Sequence, residues 1–172
     1  MAKSSHRGRG NIRRLLDSFE VTGPQGKHIV LVFEAAQISL RDLKLVFRPG
    51  GFDEDFVRGT IIELLKALDF LHTHGEVVHT DFHPGNLLPG VDDNDLLKPF
   101  EEKELSSPVP RKLVSPMRLI YLSHLMRPKE GPMLLSDFGE ARIGPGPHGG
   151  RYSASGISSS GNTALCGVEL SC

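Results

Sequence analysis

Asp81 and Asn86 stand five positions apart in the run His79-Thr80-Asp81-Phe82-His83-Pro84-Gly85-Asn86-Leu87-Leu88, and a further acidic residue follows in Asp137-Phe138-Gly139. A carboxylate and a carboxamide on one short loop, joined later by a second Asp in a strand-turn context, suit phosphoryl transfer. The first Asp can orient or deprotonate an attacking hydroxyl, while the Asn and the second Asp hold magnesium against nucleotide phosphates. Asp81 is therefore the candidate base, and Asn86 and Asp137 are the candidate metal ligands. The two segments occur in the order this chemistry uses.

Several elements must position these residues. Leu15 to Val21 and Ile29 to Phe33 are apolar, β-branched runs joined by Thr22-Gly23-Pro24-Gln25-Gly26, which predicts a β-hairpin. Leu40, Leu43 and Val46 predict a short amphipathic helix over 39–47, stopped by Pro49-Gly50-Gly51. Asp53 then opens the longest periodic segment. Phe56, Val57, Thr60, Ile61, Leu64, Leu65, Leu68 and Leu71 form one broad stripe, with Gly75 placed to stop the helix. Val77-Val78 reads as a short buried strand leading into the loop, and Met133 to Ser136 as a strand delivering Asp137. Between the motifs, Pro89 to Pro132 is rich in acidic residues, Ser and Pro, a composition that predicts a mobile surface insertion with a possible short strand at 118–122. Its Asp92-Asp93-Asn94-Asp95 run lacks the spacing of a calcium loop and reads as a solvated linker.

Composition sets the bounds. A chain of 172 residues with 38% apolar and 24% charged residues can bury one modest core. Its formal charge of −1 offers no global attraction to nucleic acid or to an anionic membrane, and only the first residues are locally basic. Both cysteines, Cys166 and Cys172, lie at the C-terminal end, so no disulfide framework is expected in the core. No stretch approaches the roughly 20 apolar residues of a membrane span, and the expected location is inside the cell, in cytoplasm or nucleus.

The loop and the Asp137-Phe138-Gly139 segment resemble the catalytic loop and magnesium-binding motif of the eukaryotic protein kinases. Leu15-Leu16-Asp17-Ser18-Phe19-Glu20, Lys27-His28-Ile29-Val30-Leu31-Val32-Phe33-Glu34 and the long interruption between the motifs resemble the SR-protein-specific kinase group in particular. The similarity runs from near Asn11 to near Gly150. It implies an α+β, partial protein-kinase-like fold in which the hairpin supplies the last two strands of the small lobe. It also implies ATP and Mg²⁺ as cofactors and a serine/threonine protein substrate, Arg/Ser-rich in type. By the same resemblance Phe33 lines the back of the nucleotide pocket, and Glu34-Ala35-Ala36 is the hinge, where a backbone carbonyl and amide face the adenine edge. Leu88 packs under the adenine ring, and the His79 ring packs on Phe138.

Two positions depart from the commonest kinase pattern. Thr80 replaces the arginine that reads a phosphorylated activation loop, so activation by that charge pairing is not expected. His83 replaces the lysine that neutralises the transferring phosphate, and is a weaker, pH-sensitive substitute as a catalytic residue. Asp-x-His-Pro-Gly-Asn also resembles the small-molecule kinases of the aminoglycoside and choline type, an alternative with the same base and metal roles. No Gly-x-Gly-x-x-Gly turn or Val-Ala-Ile-Lys lysine precedes Leu15, and no Ala-Pro-Glu element follows Gly150. The expected organisation is a flexible basic terminus over 1–14, a partial kinase domain over 15–150 with the insertion at 89–132, and a disordered Ser/Gly-rich tail over 151–172 from an altered reading frame or truncation. A remnant that binds without turnover is the alternative to an active kinase.

Overall fold

The helix predicted from Asp53 forms because its first turn is closed from outside. Asp53 Oδ1 accepts the Phe56 amide at 2.8 Å, and Glu54 and Asp55 place negative charge at the positive end of the helix dipole. This helix, α2 below, runs Glu54–Phe70. It continues through one π-helical turn, Leu71–Gly75, and stops where Glu76 turns left-handed at φ 49°. The stop residue is thus Glu76, one position beyond the expected Gly75.

The computed structural model describes residues 5–24, 26–91, 97–115 and 118–144. They form two compact units: 5–14, 34–91 and 128–144 in the first, and 15–24, 26–33, 97–115 and 118–127 in the second. The tail expected to be disordered, 151–172, lies outside the described residues.

The first unit carries the candidate loop. Its helices are α1 (Leu40–Phe47) and α2; its short strands pair antiparallel as β3 (Val77–Val78) with β8 (Arg142–Ile143) and β4 (Leu87–Pro89) with β7 (Met133–Leu135). Ser39 caps α1 by accepting the Asp42 amide at 3.2 Å and donating to Asp42 Oδ2 at 2.7 Å. Leu40, Leu43, Leu64, Ala67, Leu71, Leu87, Met133 and Leu135 make a continuous core, with Leu135 only 1% exposed. Each buried leucine contributes about 1.5–3 kcal/mol, which ties α1, α2 and the β4–β7 ribbon together.

Only one edge of the predicted α2 stripe is used in this core. Leu64 and Leu71 are buried and Phe56 and Leu68 half-buried, whereas Val57, Ile61 and Leu65 are exposed. No helix among the described residues is long and apolar enough to cross a membrane.

Of the segment expected as a flexible terminus, residues 5–14 are built into the first unit. Arg7–Asn11 forms a 3-10 turn, started by the Gly8 amide donating to His6 Nδ1 at 3.1 Å. Asn11 Nδ2 donates to the Met133 carbonyl at 3.0 Å, the Arg13 amide donates to the Leu135 carbonyl at 3.0 Å, and Ile12 bridges Leu135 in parallel register. Gly8 lies directly on α2: a Cβ there would stand 1.7 Å from the Lys66 carbonyl oxygen. Chain entropy favoured a loose end, and these buried hydrogen bonds and contacts outweigh it.

On its far side the β4–β7 ribbon ends in a narrow neck. The Gly90 amide donates to the Pro132 carbonyl at 2.7 Å, and a Cβ on Gly131 would lie 2.4 Å from the Gly90 oxygen. Gln37, 4% exposed, braces the neck: Nε2 donates to the Gly90 and Lys129 carbonyls at 2.7 and 3.0 Å, and Oε1 accepts the Lys129 amide at 2.8 Å.

The second unit contains the predicted hairpin, β1 (Leu15–Gly23) with β2 (Gly26–Phe33), paired from Leu15 opposite Phe33 to Gly23 opposite Gly26. It also contains α3 (Leu97–Ser106) and a second hairpin, β5 (Lys112–Ser115) with β6 (Arg118–Ile120). The interval expected to be a surface insertion therefore carries a helix as well as strand structure.

Candidate active site

The short strand β3 is half-buried and feeds a loop whose backbone is held in an uncommon shape. Thr80 has φ 62°, unusual for a β-branched residue, and its Oγ1 donates to the Glu140 carbonyl at 2.6 Å, a bond that offsets part of the strain. His79 is 2% exposed. Its Nε2 donates to the Ser136 carbonyl at 3.0 Å and its ring lies 5.0 Å from that of Phe138. A carbonyl oxygen can only accept, so the His79 ring proton is fixed in a structural bond, and the residue joins the loop to the Asp137 segment by packing.

Asp81 and Asn86 meet. Asn86, 7% exposed, donates from Nδ2 to the Asp81 backbone oxygen at 3.0 Å and to Asp81 Oδ2 at 3.3 Å. His83 Nε2 approaches the same Oδ2 at 3.6 Å, so Asp81 Oδ1 is not held by any of these contacts. Beyond Asn86 the β4–β7 ladder begins: the Ser136 amide donates to the Asn86 carbonyl at 2.9 Å, which places Asp137 one residue from Asn86's direct partner. Asp137 is itself left-handed at φ 62°, and its Oδ1 accepts the Gly139 amide at 3.2 Å. Asp81, His83, Asn86 and Asp137 thus lie on one loop and the ribbon that closes it.

The residues assigned to the nucleotide base divide. Leu88 is half-buried on β4 opposite Leu134, with Leu87 turned into the core. Ala36 forms an antiparallel bridge with Gly90. The Glu34 backbone is engaged inside the unit: its amide donates to the Arg14 carbonyl at 2.9 Å, and its carbonyl accepts Arg13 Nε at 3.1 Å. Phe33 ends β2 in the second unit and is 36% exposed.

A serine/threonine protein kinase of Aspergillus fumigatus is 35% identical over 147 residues, 83% of this chain and 34% of the relative. The serine/threonine-protein kinase SRPK of Physarum polycephalum is 43% identical over 75 residues, 44% of this chain and 18% of its own length. Protein kinase dsk1 of Schizosaccharomyces pombe is 36% identical over 91 residues, 53% of this chain and 17% of its own length. In sequence the chain is SR-protein-kinase-like. No family profile matches it. The kinase-like chain spans about a third of the length of the Aspergillus relative, and its mixed helices and small antiparallel sheets are those of a partial protein-kinase-like α+β fold.

The kinase-like loop offers donors that suit a hard divalent cation. With Nδ2 of Asn86 turned to Asp81, its carboxamide oxygen is the atom left to coordinate, and Asp137 retains Oδ2. Magnesium prefers oxygen ligands and is commonly held by one or two side chains together with phosphates and water. Among the described residues no group of three His, Cys, Asp or Glu side chains is placed to hold a metal ion.

Three residues of this site were not singled out from sequence. Arg13 belongs by sequence to the basic terminus, yet its Nε donates to the Glu34 carbonyl and its Nη1 lies 3.5 Å from Ser136 Oγ. Partial burial pulls its guanidinium below the ordinary arginine value, and the Glu34 carboxylate opposes that pull. Ser136 joins the two halves of the site through its backbone, which no sequence pattern reports. Gly85 did have a signal: it follows His83-Pro84, a capping side chain and a proline at the start of a turn.

Proposed function

We propose that the chain carries the phosphoryl-transfer site of an ATP-dependent protein serine/threonine kinase acting inside the cell, with an Arg/Ser-rich protein as its substrate. The meeting of Asp81 with Asn86, on a loop whose ribbon leads directly to Asp137, carries this reading. Asp81 Oδ1 takes the hydrogen bond of the incoming hydroxyl, while Asn86 holds the opposite oxygen and fixes the carboxylate's angle. Asn86 and Asp137 would hold Mg²⁺, which would supply charge neutralisation for the phosphates. Leu88 gives the adenine ring an apolar floor, and Glu34 and Ala36 border the base.

A second reading is nucleotide or partner binding without turnover: the Glu34 carbonyl, which the resemblance gives to the adenine edge, already accepts Arg13 Nε, which counts against the placement of ATP for transfer. One experiment separates the two. Thermal shift with ATP is measured with and without Mg²⁺, followed by radiolabel transfer to an Arg-Ser repeat peptide. The kinase reading expects a magnesium-dependent shift and transfer, with Asp81→Asn lowering transfer at least about hundredfold while keeping the shift. A shift without transfer supports binding only. Absence of both signals overturns the kinase reading and nucleotide binding alike.

A further inference from the structure

His83 differs in kind from the lysine whose place it takes. It starts the turn Pro84–Asn86, and its Nδ1 accepts the Gly85 amide at 3.0 Å. An imidazole nitrogen that accepts a hydrogen bond carries a lone pair, so the ring proton of His83 resides on Nε2. That Nε2 is the atom 3.6 Å from Asp81 Oδ2. The distance is just beyond hydrogen-bond length, a looseness common in sites that tighten when filled.

Gly85 explains how this ring position is possible. A Cβ at residue 85 would lie 2.7 Å from His83 Cε1 and 2.8 Å from His83 Nδ1, inside the contact distance of any real side chain. The ring can fold back over the amide only because residue 85 has no side chain. The His-Pro-Gly order is therefore one device: a side-chain cap, a proline that starts the turn, and a glycine that makes room for the cap. Arg41 Nη1 also packs against this turn, 3.6 Å from the place that same Cβ would take.

We propose that His83 is a positioning residue, which caps the turn through Nδ1 and presents Nε2–H to Asp81. This rests on the reading of Asp81 as the base, and the test separates the two claims. Histidine tautomers of the full chain are read at pH 8 by long-range proton–nitrogen NMR, with the His83 signals assigned by their loss in His83→Asn. A single Nε2–H tautomer in the parent, passing to a mixture in Gly85→Ala, is expected. A mixture or an Nδ1–H tautomer in the parent overturns the proposal, whatever the chain's activity.

Transfer kinetics give the second readout. His83→Asn keeps an oxygen for the Gly85 amide but has no donor in the Nε2 position, and His83→Lys supplies a cation that cannot accept. Both, and Gly85→Ala, should lower kcat about ten- to hundredfold and leave KM for ATP within about twofold. Recovery or gain of activity in His83→Lys, with Gly85→Ala silent, overturns the proposal in favour of the cation role. If the parent transfers no phosphate, the kinase reading fails, and the tautomer measurement alone decides the place of His83.

Discussion

Replacing Gly8 by alanine tests the docking of the N-terminal turn on α2. The added Cβ would stand 1.7 Å from the Lys66 carbonyl oxygen and 2.3 Å from its carbon, where ordinary contact begins near 3.4 Å. Both obstacles are backbone atoms in the middle of a helix, so no rotamer change relieves the overlap. The turn must withdraw by about 1.7 Å, the difference between those two distances, which is enough to break a hydrogen bond. At stake are the Asn11 bond to Met133, the Arg13 amide bond to Leu135 and the His6 contact with Asp69. Losing two of these at roughly 1 kcal/mol each, together with the packing of Ile12 beside the core, gives a destabilisation of about 3 kcal/mol.

Gly10 supplies the internal control. It lies in the same turn, but a Cβ there would meet nothing within 4 Å, so Gly10→Ala should be neutral or stabilise by about 0.4–1 kcal/mol. The chain has no tryptophan, and urea unfolding followed by far-ultraviolet circular dichroism is the suitable assay. Equal midpoints for the two variants would refute the close approach of Gly8 to α2.

Other outcomes follow from the same geometry. Leu135→Ala empties the most buried leucine of the core and should lower stability by about 3–4 kcal/mol in the same urea assay. Gln37→Ala removes three hydrogen bonds from the neck and strands the Lys129 amide; a loss of about 2–3 kcal/mol is expected, with faster hydrogen exchange at the Gly90 and Lys129 amides as the local sign. Thr80→Gly relieves a left-handed β-branched residue while losing the bond to Glu140, two effects of about 1 kcal/mol each and opposite sign, so stability should change by less than about 1 kcal/mol; Thr80→Val keeps the strain, loses the bond and should be the less stable of the pair.

The parts of this fold that were legible in sequence are those set by neighbours within a turn. Asp53 and the periodic apolar residues after it defined α2, the spacing of Leu40, Leu43 and Val46 defined α1, and the Gly-Pro segment turned the first hairpin. The loop from His79 to Asn86 was visible through its polar types. What was hidden depends on distant partners. Gly8 looks like a flexible residue until Lys66 is beside it, and Arg13 looks like a solvated cation until the Glu34 carbonyl is near. Helix α3 escaped because it buries no residue and its acidic, proline-containing sequence matches a linker; Pro99 falls in its first turn, where no helical hydrogen bond is lost. The exposed edge of α2 was hidden for the opposite reason: periodicity shows that a face is apolar, and not which part of it finds a partner.

The pinched neck at Gly90, Gly131 and Pro132 gives the chain a tolerance to insertions and deletions. Asn86 and Asp137 are spaced by the ribbon and its clasp, and the excursion between them is tied off before residue 93 and resumes its role only at 128. Closing a longer excursion costs only about 0.6 kcal/mol per doubling of its length. Gene rearrangements that rewrite residues 93–127 can therefore accumulate without moving the two side chains on which a metal would depend, whereas a single β-carbon added at residue 131 strikes the clasp itself.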